Sequence, residues 1–160
     1  MAMTTEAATT PNRVGQRVGQ VSELTVIVPL VEGGADVLRK KLAAAPEARV
    51  EATNRVGTVH DMRFVIFDND TRLLFCTAFD GDWDSYIDDF ARIIPDELNY
   101  LFDQTVGWPG LADPSVKDFI AAHQVTADSW FCAYPELRVT DINRNSRITT
   151  AVYDLLDALQ

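Results

Sequence analysis

The sequence predicts an α+β fold, in which an antiparallel sheet carries helices on one of its faces. The stretch 57–90 supplies most of the evidence. Its apolar residues alternate along Val59–Phe67, a turn follows, and a second strand-like run leads into a segment with helical spacing. Because Asp68, Asn69 and Asp70 have turn chemistry, the two runs are expected to pair antiparallel as a hairpin.

Length and charge limit the classes of protein that this chain can belong to. The 160 residues predict a single domain, and 47% of them are hydrophobic, which is enough for a substantial core. The formal net charge is -10, which argues against broad binding to nucleic acid or to an anionic membrane. The sequence has no apolar signal core and no run long enough to span a membrane, so we expect a cytoplasmic protein. Cys76 and Cys132 are predicted to be reduced core thiols.

The first half of the chain is expected to contain three strands and a helix. Residues 1–20 lack apolar periodicity and are predicted to be a disordered tail, which leaves 21–160 as the folded domain. Residues 24–30 form a β-branched run, and a helix is expected over 35–45, ending at Pro46. A short extended piece is predicted at 49–53, before the hairpin strands Val59–Phe67 and 72–79.

The second half is predicted to be mostly helical. An apolar stripe from Trp83 to Leu98 indicates a helix that Pro95 splits, with a carboxylate of the turn 80–84 as its cap. A short helix is expected from Asp113 to His123. Residues 129–134 are predicted to form a fourth strand, and a last helix is predicted to follow Thr140.

This order of elements predicts a ferredoxin-like sandwich, with an antiparallel sheet and helices on one face. Such a sheet leaves its other face open. The central hairpin has apolar residues on both of its sides, so the open face is expected to need cover as well. A homodimer is the predicted cover.

A series of short motifs runs along residues 24–159. The motifs are Gly57-Thr58-Val59-His60 with Arg63, Phe79-Asp80-Gly81, Tyr86 with Asp89, Gly107-Trp108-Pro109-Gly110, Ala122-His123-Gln124-Val125, Tyr134-Pro135, and Arg144 with Arg147. In this order they resemble the motifs of a poorly characterised family within the dimeric α+β barrel superfamily, in which two ferredoxin-like sheets face each other. The resemblance implies a homodimer of this kind. The superfamily includes cofactor-free monooxygenases, polyketide cyclases and lactone isomerases, and also haem enzymes such as dye-decolourising peroxidases and chlorite dismutases, so it does not select one reaction.

His60 is the residue best suited to catalysis. Its apolar neighbours on the same strand face predict that it points into a cavity between sheet and helices, where it could transfer a proton at neutral pH. The alternative is a structural histidine held by a backbone carbonyl or by Asp80. Tyr86, Asp80 or Arg63 would orient a substrate or stabilise developing negative charge, although alternation puts Arg63 on the opposite face unless a bulge intervenes.

Aromatic and basic residues form the predicted substrate-binding set. The aromatic residues would line a pocket, or else belong to the core; the two arginines could anchor a carboxylate, or else be neutralised by nearby acids. The set comprises Trp83, Trp108, Trp130, Tyr134, Arg144 and Arg147.

Metal and cofactor sites have little support in the sequence. The turn at Asp80, Asp82 and Asp84 lacks the glycine and glutamate of a calcium loop, so we predict no metal there and favour helix capping. His123 ends a short helix and is the only further histidine, which leaves haem as an alternative cofactor.

We therefore expect a small-molecule enzyme without a tightly bound cofactor, acting on an apolar or aromatic metabolite as a cyclase, isomerase or monooxygenase. One alternative is a haem-dependent, peroxidase-like protein. Another is a non-catalytic module that binds a ligand or assembles with a partner.

Overall fold

A four-stranded antiparallel sheet forms the centre of the protein. The computed structural model describes residues 14–159. The strands lie in the order β1-β2-β4-β3, and every neighbouring pair is antiparallel. The predicted α+β class and antiparallel sheet are confirmed, and the arrangement is compatible with a ferredoxin-like sandwich. The strands are β1 (Gln16–Val18), β2 (Val21–Pro29), β3 (Val59–Phe67) and β4 (Arg72–Asp80).

Five of the six helices in the described part of the chain cover one face of this sheet. They bury side chains such as Leu38, Ala52, Phe90, Leu101 and Ile120 in one core with the inward residues of β2 and β4. The sixth helix, α6, buries none of its residues. The helices are α1 (Gly34–Ala43), α2 (Pro46–Val56), α3 (Trp83–Ile93), α4 (Pro95–Phe102), α5 (Val116–His123) and α6 (Val139–Asp157).

Local sequence explains the hairpin and the split helix. Asp68, Asn69 and Asp70 all have positive φ angles, a conformation that Asn and Asp tolerate better than most residues. The side chain of Asp82 caps α3 by accepting a hydrogen bond from the backbone N–H of Ser85 at 3.0 Å. Pro95 begins α4 directly after α3 ends, so the predicted cap and split are confirmed.

Two predicted extended segments are wrong. Residues 129–134 form an irregular segment, because β1 and an isolated bridge between Val26 and Gln124 already occupy the free edge of β2. Residues 49–53 lie inside α2. Pro46, which was expected only to stop the first helix, is the first residue of α2. At this position its missing N–H costs no helical hydrogen bond.

The N-terminal boundary of the folded part also differs from the expectation. The strand β1 lies within 1–20, the predicted tail, and pairs with β2 from Gln16 to Val18. Residues 1–13 lie outside the described part, so the prediction for them stays a prediction. Among residues 14–159, no helix is both long and apolar enough to cross a membrane.

Candidate functional site

The two faces of the sheet have different surroundings. Along β2 and β4, the side chains of Leu24, Val26 and Phe75 point to the helix-covered face. The alternate residues Glu23, Thr25, Cys76, Ala78 and Asp80 point to the opposite face, which we call the open face. The segment 127–130 passes over part of the open face, and we call it the roof.

A cavity of about 190 Å³ lies between the open face and the roof. We call it the Glu23 cavity. Its walls combine a carboxylate, a guanidinium, a hydroxyl, a thiol and an indole, which is a mixture suited to binding a small polar or aromatic molecule. The residues that line it include Glu23, Thr25, Asp61, Arg63, Cys76 and Trp130.

Glu23 is the most unusual residue of this cavity, because it is an ionisable side chain that is only 5% exposed. Its Oε1 accepts a hydrogen bond from the backbone N–H of Gln16 at 2.9 Å, and its Oε2 accepts one from the Thr25 hydroxyl at 3.2 Å. Burial raises the pKa of Glu23 above its ordinary value of 4.5, and these two hydrogen bonds oppose the rise. The carboxyl is therefore a stronger base than an exposed glutamate.

Gln16 connects Glu23 to the roof. Its backbone N–H donates to Glu23, and its side-chain amide donates to the carbonyl oxygen of Ala127. The neighbouring backbone N–H of Gly15 donates to Oε1 of Gln124 at 3.2 Å. The strand β1 thus positions both the carboxyl and the roof of the cavity.

His60 and Asp80 form a second polar pair on the open face. In β3 the register shifts between Val59 and Asp61, so His60 sits in a β-bulge. Its Nε2 lies 2.8 Å from Oδ1 of Asp80, and both side chains are largely buried. The bulge therefore turns His60 away from the helix-covered face, to which alternation with Met62 had assigned it.

Asp80 also fixes the start of α6. Its Oδ2 accepts a hydrogen bond from the backbone N–H of Val139 at 3.0 Å. A carboxylate at a helix N-terminus satisfies an unpaired donor and meets the positive end of the helix dipole. The pair of His60 and Asp80 is thus an anchor for α6. Asp80 lies two residues along β4 from Ala78, the residue that pairs with Glu23 on β2, which is a distance of about 7 Å along the strand.

Tyr86 lies on the other side of the sheet from His60, Arg63 and Asp80. It is 2% exposed and stacks on Phe79, with ring centroids 3.9 Å apart. Its hydroxyl donates to Oγ1 of Thr77 at 2.8 Å, because the Thr77 proton goes to the carbonyl of Asp61. Burial raises the pKa of Tyr86 far above its usual range, so the phenol stays protonated at neutral pH. Of the predicted catalytic set, the structure therefore brings His60 and Asp80 into contact and places Tyr86 on the other side of the sheet.

The cavity on the helix-covered face is too small for a metabolite. It has a volume of about 20 Å³, and its walls are apolar side chains that include Phe75, Tyr86 and Trp108. A space of this size holds about one water molecule. The pocket expected between sheet and helices is therefore a packing defect of the core.

The other predicted binding residues are scattered over the protein. Trp83 packs against the core, and Trp108 packs on Phe102 while its indole N–H donates to Asn99. Tyr134 is 68% exposed. Arg144 pairs with Asp141 at 3.3 Å on α6, which also carries the exposed Arg147. Of this set, only Trp130 lines the Glu23 cavity, together with Arg63.

Metal-ligating side chains are not clustered in the part of the chain that the structure describes. Among residues 14–159, no group of three or more His, Cys, Asp or Glu side chains could hold a metal ion. His123 donates from Nδ1 to the carbonyl of Phe119 at 2.8 Å.

A third cavity, of about 350 Å³, lies between the α1–α2 turn and α4 beside Lys41 and Glu97. Neither His60 nor His123 lines any of the three cavities.

Sequence reasoning missed Glu23 and Gln16. Gln16 fell in the predicted tail, and Glu23 stood just before the run at which the first strand was expected to begin. One signal was available: residues 21–29 continue the strand with alternation, and a glutamate inside such a run is a candidate for burial.

The burial of Glu23 makes a testable prediction about stability. Its raised pKa means that the folded protein keeps this proton at pH values at which the unfolded chain has released it, so stability falls as pH rises from about 4.5 through the folded pKa. Glu23→Gln removes this loss. We expect the melting temperature of Glu23→Gln to gain on that of the unchanged protein as pH rises from 4.5 to 8.

Differential scanning calorimetry between pH 4.5 and 8 measures this difference. The exposed Glu47 is the matched control. The difference in melting temperature between Glu47→Gln and the unchanged protein should stay constant across this pH range. If the difference in melting temperature between Glu23→Gln and the unchanged protein does not widen as pH rises, Glu23 does not have a raised pKa in the folded protein.

Comparison of the chain with protein families, with curated proteins and with solved structures finds no match.

Proposed function

We propose that the protein is an enzyme that transfers a proton on a small aromatic or apolar metabolite bound in the Glu23 cavity. The observation that carries the proposal is the buried carboxyl of Glu23 with its raised pKa, in the wall of a cavity that also contains an indole and a guanidinium. Ionisable groups with shifted pKa values inside cavities are characteristic of catalytic sites. Cyclases, isomerases and cofactor-free monooxygenases all need a base that removes a proton from their substrate.

Each wall of the cavity has a role in this proposal. A volume of about 190 Å³ accepts a single aromatic ring, which Trp130 can stack on. The ionised Glu23 takes a proton from a carbon next to a carbonyl, which leaves an enolate on the substrate and a neutral carboxylic acid on the protein. Arg63, whose side chain is 70% exposed at the cavity wall and whose Nε lies 3.8 Å from Oδ1 of Asp61, can attract the negative charge of the substrate.

His60 is the weaker candidate for the base. Its Nε2 is engaged with Asp80, and it lines none of the three cavities. We assign it instead to anchoring α6 through Asp80. The homodimer expected from the sequence, in which a second copy covers the open face of the sheet, remains part of the proposal.

The proposed proton transfer can be tested without knowledge of the natural substrate. Phenylpyruvate is a suitable probe, because it combines one aromatic ring, a carboxylate for Arg63 and an acidic methylene group. In deuterated water, removal and return of a proton replaces C–H by C–D at this methylene, which proton NMR follows over time. We expect catalysed exchange with the unchanged protein, and a loss of roughly 100-fold in Glu23→Gln, as is typical for a general base.

Two outcomes separate the alternatives, and a third variant is the control. Exchange that Glu23→Gln retains and His60→Gln loses would return the base to His60. Binding of phenylpyruvate without exchange above the rate in buffer would favour a ligand-binding module over an enzyme. Glu47→Gln should behave as the unchanged protein, since Glu47 lies on α2, away from the open face.

A further inference from the structure

The Glu23 cavity contains a thiol that the proposed function does not yet use. Cys76 lies on β4 directly opposite Thr25 of β2, and Glu23 pairs with Ala78, two residues further along β4. The side chains of Glu23, Thr25 and Cys76 all point to the open face and line the cavity. Cys76 is a free cysteine and is only partly buried, so a molecule in the cavity can contact both its thiol and the carboxyl.

Thr25 connects this thiol to the carboxyl. Its Oγ1 lies 3.2 Å from Oε2 of Glu23 and 3.7 Å from Sγ of Cys76. A hydroxyl donates one proton and also accepts hydrogen bonds through its lone pairs. When Glu23 is ionised, the Thr25 proton goes to the carboxylate and the thiol donates to Thr25. When Glu23 is protonated, it donates to Thr25, and Thr25 donates to the sulfur. The three groups are therefore linked by hydrogen bonds in both protonation states of Glu23.

The two ends of this link are suitably spaced for a proton shift within one small molecule. The carboxyl oxygen and the sulfur are at most about 7 Å apart, because both lie within hydrogen-bonding distance of the same oxygen atom. In a ketone, only one atom separates the carbon that loses a proton from the carbonyl oxygen that gains one. A base and an acid on the same wall, each about 3 Å from its own atom, can contact both positions at once.

We infer that Cys76 is the acid of the proposed reaction, and that this reaction is the keto–enol tautomerisation of an aromatic or apolar 2-oxo acid, whose carboxylate Arg63 attracts. Glu23 takes a proton from the carbon next to the carbonyl. The electron pair of the broken C–H bond forms the C=C bond, the carbonyl π pair moves to oxygen, and the Cys76 thiol gives that oxygen its proton. The inference rests on the proposed function and selects the isomerase among its three reaction classes.

Thr25 returns the site to its starting state. The step leaves a neutral carboxyl on Glu23 and a thiolate on Cys76. The carboxyl then gives its proton to Oγ1 of Thr25, while Thr25 gives its own proton to the thiolate. The carboxylate and the thiol are restored, and the protein has neither gained nor lost a proton. No oxidant, reductant or cofactor takes part in the cycle. Thr25 is a positioning residue in this scheme, because it acts through Glu23 and Cys76.

Two measurements with phenylpyruvate separate this inference from the proposed function. Deuterium exchange at the methylene group requires a base alone, because Glu23 can return a deuteron to the same carbon. Formation of the enol requires an acid at the oxygen as well, and ultraviolet absorbance follows it in borate buffer, which traps the enol. In Cys76→Ser we expect enol formation to fall roughly 100-fold and deuterium exchange to fall far less, because a hydroxyl is a much weaker acid than a thiol.

Cys132→Ser is the matched control, because Cys132 is also a free thiol but lines none of the three cavities. It should form the enol at the rate of the unchanged protein. Cys76→Ala should repeat the result of Cys76→Ser, and thermal unfolding checks that both variants fold. If the unchanged protein catalyses exchange but no enol formation, or if Cys76→Ser keeps its enol rate, the inference is wrong and the proposed function stands. If the unchanged protein catalyses no exchange, both are wrong.

Thr25→Val tests the return of the proton. With protein in excess over phenylpyruvate, each site reacts once and needs no return step; with phenylpyruvate in excess, every cycle needs one. We expect Thr25→Val to lower enol formation about tenfold more under substrate excess than under protein excess, and Thr25→Ser to restore the rate. Equal losses under both conditions would show that Thr25 only supports the structure of the cavity, and would overturn its role in the cycle.

Discussion

Replacing Tyr86 by alanine is expected to lower the melting temperature by roughly 10 °C or more, because emptying a buried aromatic site costs about 3–5 kcal/mol and each kcal/mol moves a chain of this size by about 2–4 °C. The side chain is 2% exposed and is held between Phe79 and Phe90, whose ring centroids lie 3.9 and 4.8 Å from its own. Thermal unfolding followed by circular dichroism measures the loss.

Tyr86→Phe separates this structural role from a catalytic one. It removes only the hydroxyl that donates to Thr77, so we expect a loss of about 1 kcal/mol and unchanged deuterium exchange into phenylpyruvate. If Tyr86→Phe abolishes exchange in a protein that folds normally, the phenol takes part in the reaction and our placement of the chemistry on the open face is wrong.

Gly15→Ala has the second large expected effect, on the hairpin that holds the Glu23 cavity together. A Cβ atom at this position would overlap the backbone carbonyl oxygen of Glu23, and the φ angle of +79° is itself unfavourable for alanine. Because the obstacle is backbone, no rotamer change relieves it. We expect a loss of about 2 kcal/mol or more, together with separation of β1 from β2.

Gly33→Ala is the matched control for this experiment. Gly33 has a φ angle of +73°, but nothing lies within 4 Å of an added Cβ atom, so it reports the backbone strain alone, about 1 kcal/mol. Hydrogen exchange at the amide of Gln16, which donates to Glu23, should become fast in Gly15→Ala and stay slow in Gly33→Ala. Equal protection in both variants would show that β1 tolerates the substitution.

The sequence was sufficient to predict the central hairpin and the helical face. Apolar residues alternate along Val59–Phe67 and recur at helical spacing from Trp83 to Leu98. Both patterns arise because one side of each element is buried against the same core. Pro95 acts through its own backbone, and the Asp82 side chain caps the turn that follows it, so both effects could also be predicted locally.

The edge of the sheet could not be predicted in the same way. Residues 129–134 have strand-like composition, but β1 and the bridge at Gln124 occupy the edge that they would need. The orientation of His60 depends on a bulge, which strict alternation does not show. Glu23 owes its raised pKa to burial that is completed by segments distant in sequence, so no local pattern identifies it.

The connection between β1 and the C-terminal part of the chain has a consequence for folding. Its hydrogen bonds join Gly15 to Gln124 and Gln20 to Arg138, across 109 and 118 positions of sequence. Contacts across such long loops carry a large entropic cost and form slowly unless the intervening chain is already compact. We therefore expect the β3–β4 hairpin and its helices to form first, and the Glu23 cavity to close late. During synthesis it cannot be complete until Trp130 has left the ribosome, after the residues of β2, β3 and β4 are available to fold.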